Sequence, residues 1–210
     1  MDSEVRRLSL STGIAVPCLV QGDPSAQPLL LLHAWGESRR SFDRLIPLLE
    51  GLQILAPDLR GHGEADKPRG GYSLTDHARD VEAILDALDL ESAAILDSSS
   101  GGTWRSHSLR DPLDEGWIRQ SLKWFTFHRQ VPAWFVEDRV RDGMRMPAHV
   151  WPTALEGLYQ AVPPTDAGPI GVPALILWEC PEQVAADTRA FLAPGRGWSG
   201  GSRTFETMTW

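Results

Sequence analysis

An α/β chain with a mostly parallel sheet, flanking helices and an added helical segment is predicted by two observations. Short apolar runs of strand length alternate with helix-spaced stretches over about the first hundred residues, the pattern of crossover-connected parallel strands. Past Gly102 the strand-like runs stop and Trp-rich amphipathic stretches replace them, until Pro173-Ala174-Leu175-Ile176-Leu177-Trp178 reads as a buried strand again.

The elements follow in order. Val5 to Leu10 and Ile14 to Val20 are extended runs around Ser11-Thr12-Gly13, a hairpin signal. Leu29-Leu30-Leu31-Leu32 is a continuous apolar run, as in a strand covered on both faces. A helix is predicted near Ser41 to Leu49, where Phe42, Leu45, Ile46 and Leu49 recur at helical spacing. Leu52 to Ala56 is the next strand. Thr75 is placed to cap a helix whose stripe is Ala78, Val81, Ile84, Leu85 and Leu88. Ala93 to Leu96 reads as a third buried strand. Asp114 can cap a helix carrying Trp117, Ile118, Leu122 and Phe125; Trp134, Phe135 and Val140 mark another, and Val150 to Tyr159 a third. Glu182 to Leu192 reads as one last helix, apolar at Val184, Ala185, Thr188, Phe191 and Leu192. Pro194 to Trp210 is Gly/Ser/Thr-rich and reads as a loose tail.

Composition narrows the function. The chain has 210 residues, of which 42% are hydrophobic and 23% charged, ordinary globular usage that supports one core. Twenty basic against twenty-eight acidic residues give a formal charge of −8 without a Lys/Arg run, which argues against nucleic acid or an anionic membrane as partner. Cys18 and Cys180 are too few for a disulfide framework. The acidic start Met1-Asp2-Ser3-Glu4 is unlike a signal peptide, no apolar stretch approaches a span of about 20 residues, and a cytoplasmic location is expected. There is no Cys/His cluster, phosphate-cradling Gly loop or G-x-G-x-x-G, so no metal or cofactor is implied.

The chemistry-bearing stretch is Asp97-Ser98-Ser99-Ser100-Gly101-Gly102, directly after a predicted strand. A small-x-Ser-x-Gly sequence there can form a sharp turn that lifts a serine hydroxyl above the sheet edge. The residues alone leave alternatives open: Ser99 with Asp97 in the first small position, Ser100 with Ser98 there, or a plain loop. Two more loops follow strands, Leu32-His33-Ala34-Trp35-Gly36 and Ala56-Pro57-Asp58-Leu59-Arg60-Gly61-His62-Gly63-Glu64-Ala65-Asp66-Lys67-Pro68.

Together these three motifs, at these spacings from about Ser9 to Gly102, resemble the α/β-hydrolase superfamily in its esterase, lactonase and haloperoxidase-like branch. The resemblance implies Ser99 as nucleophile, since Ser100-Gly101-Gly102 follows it as x-Gly-Gly does in the family. It implies the backbone N–H groups of Ser100 and Trp35 as oxyanion donors, each worth ~3–4 kcal/mol in the transition state. His33 and His62 are read as loop-ordering residues near the site. Asp97 departs from the family's Gly and sets a carboxylate two residues before the serine.

The family's remaining catalytic parts have no counterpart. Its acid follows a late strand written Leu-Trp-Gly-x-x-Asp, and its histidine lies in a Gly-His loop one strand later. Here Trp178 is followed by Glu179-Cys180-Pro181-Glu182, and no histidine follows His149. The long helix and strand that normally follow the serine turn are also unmatched between Gly102 and Pro112, so two internal segments are missing relative to the family. His107, His128 and His149 are the candidates for a replacement base, though each is read as a surface or packing residue. Glu182 is read as an exposed first-turn residue and Cys180 as no nucleophile.

The expected organisation is therefore an N-terminal part of the hydrolase core over 1–102, a helical cap over 103–170, a C-terminal core strand and helix over 171–193, and the tail over 194–210. The expected function is hydrolysis of a carboxylic ester or lactone, impaired because the triad's acid and histidine are absent; losing the histidine of such a unit costs roughly 10⁶-fold in turnover. The expected partner is a small apolar ester-like molecule, with no nucleic acid and no membrane. The rivals are a non-catalytic protein that binds an apolar ligand on the same scaffold, and an internally deleted or misjoined form of a longer hydrolase. Nine tryptophans stand against two tyrosines, and Trp104, Trp117, Trp124, Trp134 and Trp151 fall in the cap-like stretch. Most are expected to pack, with one or two lining a pocket.

Overall fold

The computed structural model describes residues 3–97, 110–122, 132–159 and 181–193. Five strands form one mixed sheet: β1 (Ser3–Ser9), β2 (Ala15–Gln21), β3 (Gln27–Leu32), β4 (Leu52–Pro57) and β5 (Ala94–Asp97), in spatial order β1-β2-β4-β3-β5. The hairpin turns at Gly13, whose φ of 85° a side chain would oppose. It pairs β1 with β2 in the register Leu8↔Val16, and β2 continues antiparallel onto β4. The parallel part of the sheet is β4-β3-β5, with Leu29↔Ile54 on one side of β3 and Leu29↔Ala94 on the other. The chain leaves β3 for β4 on one side, then returns to β5 on the other. Connections departing in opposite directions open a crevice beyond the carboxyl ends of β3 and β5.

The Leu run is buried on both faces, as its composition predicts. Leu30 and Leu55 point to one face, with Val16, Cys18, Ala83 and Ile84. Leu29, Leu31, Ile54 and Ala56 point to the other, with Phe42, Leu45, Ile46, Leu49 and Ala185. The first face is covered by α1 (Leu74–Ala87). Its cap is Ser73 rather than Thr75: Ser73 holds an extended backbone, its Oγ accepts from the Asp76 N–H at 3.1 Å, and the Asp76 carboxylate accepts from the Ser73 N–H at 3.0 Å. The buried face also differs from the predicted stripe. Asp80, Ala83 and Ile84 point inward while Ala78 is exposed, because Asp80 is drawn in to Arg60.

The other face corrects the helix predicted over Ser41–Leu49. Two 3₁₀ turns stand there, Arg39–Phe42 and Ile46–Leu48. Pro47 supplies no N–H and disfavours helical backbone before it, so a continuous α-helix is interrupted. The predicted apolar side chains are buried nonetheless. They are joined by α5 (Pro181–Leu192), through Ala185, and Arg189 Nη1 donates to the Leu48 carbonyl at 2.8 Å. Glu182 is exposed in the first turn of α5.

The strand predicted at Ala93–Leu96 is present as β5 but is not buried. Among the described residues it pairs only with β3, and Ile95 is 54% exposed. Three further helices, α2 (Glu115–Leu122), α3 (Ala133–Met144) and α4 (Val150–Tyr159), enclose a third cluster of Tyr72, Ile118, Val140, Met146, Val150 and Trp151. Asp114 Oδ1 accepts from the Trp117 N–H at 2.9 Å, the predicted cap of α2. The expected strand at 173–178 and the expected tail at 194–210 lie outside the described residues. No helix among the described residues is long and apolar enough to cross a membrane, and no described group of His, Cys, Asp or Glu is arranged to hold a metal.

Candidate active site

Leu32 and Asp97, the last residues of β3 and β5, lie opposite one another in the parallel register. The start of the His33 loop and Asp97 therefore stand side by side at the end of the sheet, at the crevice. The His33 loop turns at once: the Glu37 N–H donates to the Ala34 carbonyl at 3.1 Å, and Gly36 adopts a φ of 78°. The positive φ, rather than crowding, favours glycine here: a Cβ would meet the Trp151 ring only at an ordinary contact distance of 3.7 Å.

His33 is occupied on both ring nitrogens. Nδ1 lies 2.9 Å from the Ala34 carbonyl oxygen and Nε2 accepts the Leu59 N–H at 2.9 Å, which assigns the proton to Nδ1. It thereby ties the loop after β3 to the loop after β4. His62 stands with its ring centroid 5.2 Å away, its Nδ1 donating to the Arg60 carbonyl at 2.8 Å. Burial pushes the His33 pKa down to about 4, and burial together with the neighbouring His33 pushes His62 down to about 3. Both are neutral near pH 7, and His62 differs in that its buried Nε2 has no hydrogen-bond partner among the described residues.

Buried charge holds these loops. Asp58 is fully buried and accepts from the Arg39 N–H at 2.8 Å, the Glu64 N–H at 2.8 Å and the Arg39 guanidinium, which also reaches Glu64 at 2.8 Å. Burial works against the Arg39 charge, but Asp58 and Glu64 outweigh it and raise its pKa. Gly63 is required beside it, since a Cβ there would strike the Asp58 carboxylate. Arg60 grips Asp80 in a two-toothed ion pair at 2.5 and 2.7 Å and also donates to the Gly71 carbonyl; Thr12 Oγ1 donates to Asp80 at 2.6 Å. Arg39, Asp58, Arg60 and Asp80 were not singled out from the sequence. A carboxylate and an arginine two residues apart in a Gly-rich loop carry no local mark of burial.

The aromatic wall meets the same loop. Trp35 packs edge-on against Trp151 with ring centroids 4.8 Å apart, and Trp151 packs edge-on against Trp117 at 5.4 Å. Trp151 is buried and its Nε1 donates to the Met146 carbonyl at 3.2 Å. Trp134 stands apart, 39% exposed.

The structure thus brings His33 and Trp35 to the end of β3 and Asp97 to the end of β5. Ser99, Ser100, His107, His128, Trp104, Trp124 and Cys180 lie outside the described residues. His149 precedes α4 with Nε2 3.3 Å from the Pro68 carbonyl oxygen. Among the described residues no histidine is hydrogen-bonded to a carboxylate. Cys18 is buried in β2, and burial pushes its thiol up to about 12, where no thiolate forms near neutrality.

Residues 27–106 match the family described as the alpha/beta hydrolase fold. Lipase 1 of Psychrobacter immobilis is 37% identical over 102 residues, 48% of this chain and 32% of that protein. The non-heme chloroperoxidase of Streptomyces lividans is 36% identical over 83 residues, 39% of this chain and 30% of that protein. Both matched stretches are a third or less of the relative's length. A crystal structure of a hydrolase from Pseudomonas aeruginosa PA01 shares the fold with a TM-score of 0.62 at 19% identity, covering 75% of this chain and 73% of that one. The crevice at β3 and β5, the loops that frame it and the match over 27–106 agree: this part of the chain has the alpha/beta hydrolase fold.

Proposed function

We propose that this chain is a serine-hydrolase-type protein for carboxylic esters or lactones, with Ser99 as nucleophile and the backbone N–H groups of Trp35 and Ser100 as oxyanion donors, and that its turnover is impaired. The parallel pairing of Leu32 with Asp97 is the main support. It starts the Trp35 loop and the chain leading to Ser99 from adjacent points of the sheet, as a nucleophile and its oxyanion donors require. The buried ion pairs of Arg39 and Arg60 give the neighbouring loop the rigidity that preorganised donors need. Helices α2 to α4 act as the cap over an apolar substrate.

Impairment follows from the triad. A serine hydroxyl needs a base, and the family's acid and histidine have no counterpart around 178–182 of this sequence. His33 and His62 cannot substitute while their ring nitrogens are buried and His33 is held at both. A fluorophosphonate probe and p-nitrophenyl butyrate, run against Ser99→Ala, test the proposal. Slow, Ser99-dependent labelling with turnover many orders of magnitude below ordinary esterases is expected. Labelling that survives Ser99→Ala removes the nucleophile assignment, and Ser99-dependent turnover at ordinary enzyme rates overturns impairment and points to a replacement base.

The second reading is an apolar-ligand-binding protein without turnover, favoured by the Trp35–Trp151–Trp117 cluster beside the same loop. It predicts saturable binding that is indifferent to Ser99→Ala.

A further inference from the structure

A recess of about 400 Å³ lies between the first 3₁₀ turn and α3. Its walls carry four arginines, Arg40, Arg44, Arg139 and Arg141, against two carboxylates, Asp43 and Asp138. The arginines are not equivalent. Arg139 is committed to Glu37 by a nearly buried ion pair and to Ser41 Oγ at 3.0 Å, and Arg141 reaches Asp138 at 3.0 Å. Arg40 and Arg44 form no ion pair and no side-chain hydrogen bond among the described residues. The remaining carboxylate, Asp43, is exposed and forms no ion pair among the described residues.

Two aromatic rings complete the recess. The Arg44 guanidinium lies 3.8 Å over the Trp134 ring, and that of Arg139 lies 5.3 Å from Phe135. Stacking engages the flat face of a guanidinium and leaves its N–H edge available to an oxygen pair. Trp134 is an exposed large aromatic that the third core cluster does not use. Unused guanidinium donors, a ring wall and room for a small molecule are thus found together in a chain whose formal charge is −8.

We propose that this recess is a binding site for a small aromatic carboxylate. Arg40 and Arg44 hold the carboxylate oxygens through their N–H edges, and Trp134 with Phe135 covers the ring. The site draws on the first 3₁₀ turn and on α3, so an occupant also braces α3 against the sheet region. No residue of the candidate active site lines it, so it stands whether or not Ser99 is a nucleophile.

The test titrates the full chain with sodium benzoate at constant ionic strength, followed by tryptophan fluorescence and calorimetry. Saturable one-to-one binding is expected, with benzamide weaker by about tenfold or more because it lacks the charge that the guanidinium groups recognise. Arg40→Gln and Arg44→Gln should each weaken benzoate about tenfold, and Trp134→Ala should remove the fluorescence change as well. Phenylglyoxal mapping of the unaltered chain avoids any folding defect in the variants: benzoate should protect Arg40 and Arg44 while leaving exposed Arg69 reactive. Non-saturating benzoate, equal binding of benzamide, or protection no greater at Arg40 and Arg44 than at Arg69 overturns the site. Inorganic phosphate binding as tightly as benzoate overturns the aromatic class.

Discussion

The sheet region and the α2–α4 layer are held by different physics. In the loops beyond the sheet, two ion pairs lie inside: Asp58 and Asp80 are essentially inaccessible, and each is clasped by an arginine and by further hydrogen bonds. In the helical layer, ion pairs lie outside. Arg119 bridges Glu115 at 2.7 Å and Glu137 at 2.8 Å across α2 and α3, with all three side chains open to water. What is inside that layer is aromatic and aliphatic, centred on Trp151. The two regimes meet at Arg139, whose pair with Glu37 is nearly buried and whose neighbour Asp142 is pushed up in pKa by burial. Charge thus organises the loops that frame the crevice, where direction and register matter. Shape packs the helices over them, where volume matters.

The largest expected effect breaks the charged side. Asp58→Ala leaves Arg39 buried without its main partner and frees two backbone N–H groups, so about 3–5 kcal/mol of stability should be lost in urea unfolding. A loss below about 1 kcal/mol would show that water replaces the carboxylate and that buried charge does not hold these loops.

Trp151→Ala tests the other side. Removing a buried indole that touches Trp35 and Trp117 should cost about 3 kcal/mol or somewhat more. Its signature should be local, with near-ultraviolet circular dichroism from stacked indoles collapsing while far-ultraviolet signal from the sheet persists. Simultaneous loss of both would mean that the two regions unfold as one unit.

Acid sharpens the contrast further. His33 and His62 have folded pKa values far below the usual 6.5, so the unfolded chain binds more protons as pH falls under 6.5. Stability from these residues is complete above that value and lost on descent toward about 4, each histidine removing up to about 1.4 kcal/mol per pH unit. Melting temperature recorded from pH 7 to 5 should therefore fall, and His62→Gln should flatten the slope. An unchanged slope in that variant would remove His62 from the account.

The smallest effect is expected from Arg119→Ala. Its partners are solvent-exposed, and such pairs contribute little net stability. The melting temperature should hardly move, and 1 M salt should not alter the comparison. A clear drop would make the outer pairs of the helical layer as important as the inner pairs of the sheet.

Local patterning was readable where a single physical rule dominates. The Leu29–Leu32 run could only be a strand covered on both faces, and Val150–Tyr159 kept its helical bounds because its period is uninterrupted. Patterning failed where a local rule was overridden. Helical spacing at Phe42, Leu45, Ile46 and Leu49 was real, but Pro47 broke the backbone into two short turns that bury the same side chains. Ser73 displaced Thr75 as the cap because Asp76 could answer it, and Ala78 lost its place in the stripe to Asp80. Of the candidate site, the loops after β3 and β4 were legible as post-strand motifs, while the serine motif lies outside the described residues past Asp97. The ion pairs that stiffen them were not, because Arg39 and Asp58, or Arg60 and Asp80, are far apart in the chain and look like surface charges.

Sequence by itself determined the α/β class and the order of the described strands and of helices α1 to α5, since each is written in contiguous residues. Tertiary structure decided the rest. It set β3 between β4 and β5, so that the chain reverses direction at the crevice. It left Ile95 exposed on a strand whose composition reads as buried, and among the described tryptophans it separated Trp35, Trp117 and Trp151, which pack together, from Trp134, which lines a recess. The reason is common to all three: which face a residue presents depends on what packs against it, and those neighbours come from elsewhere in the chain.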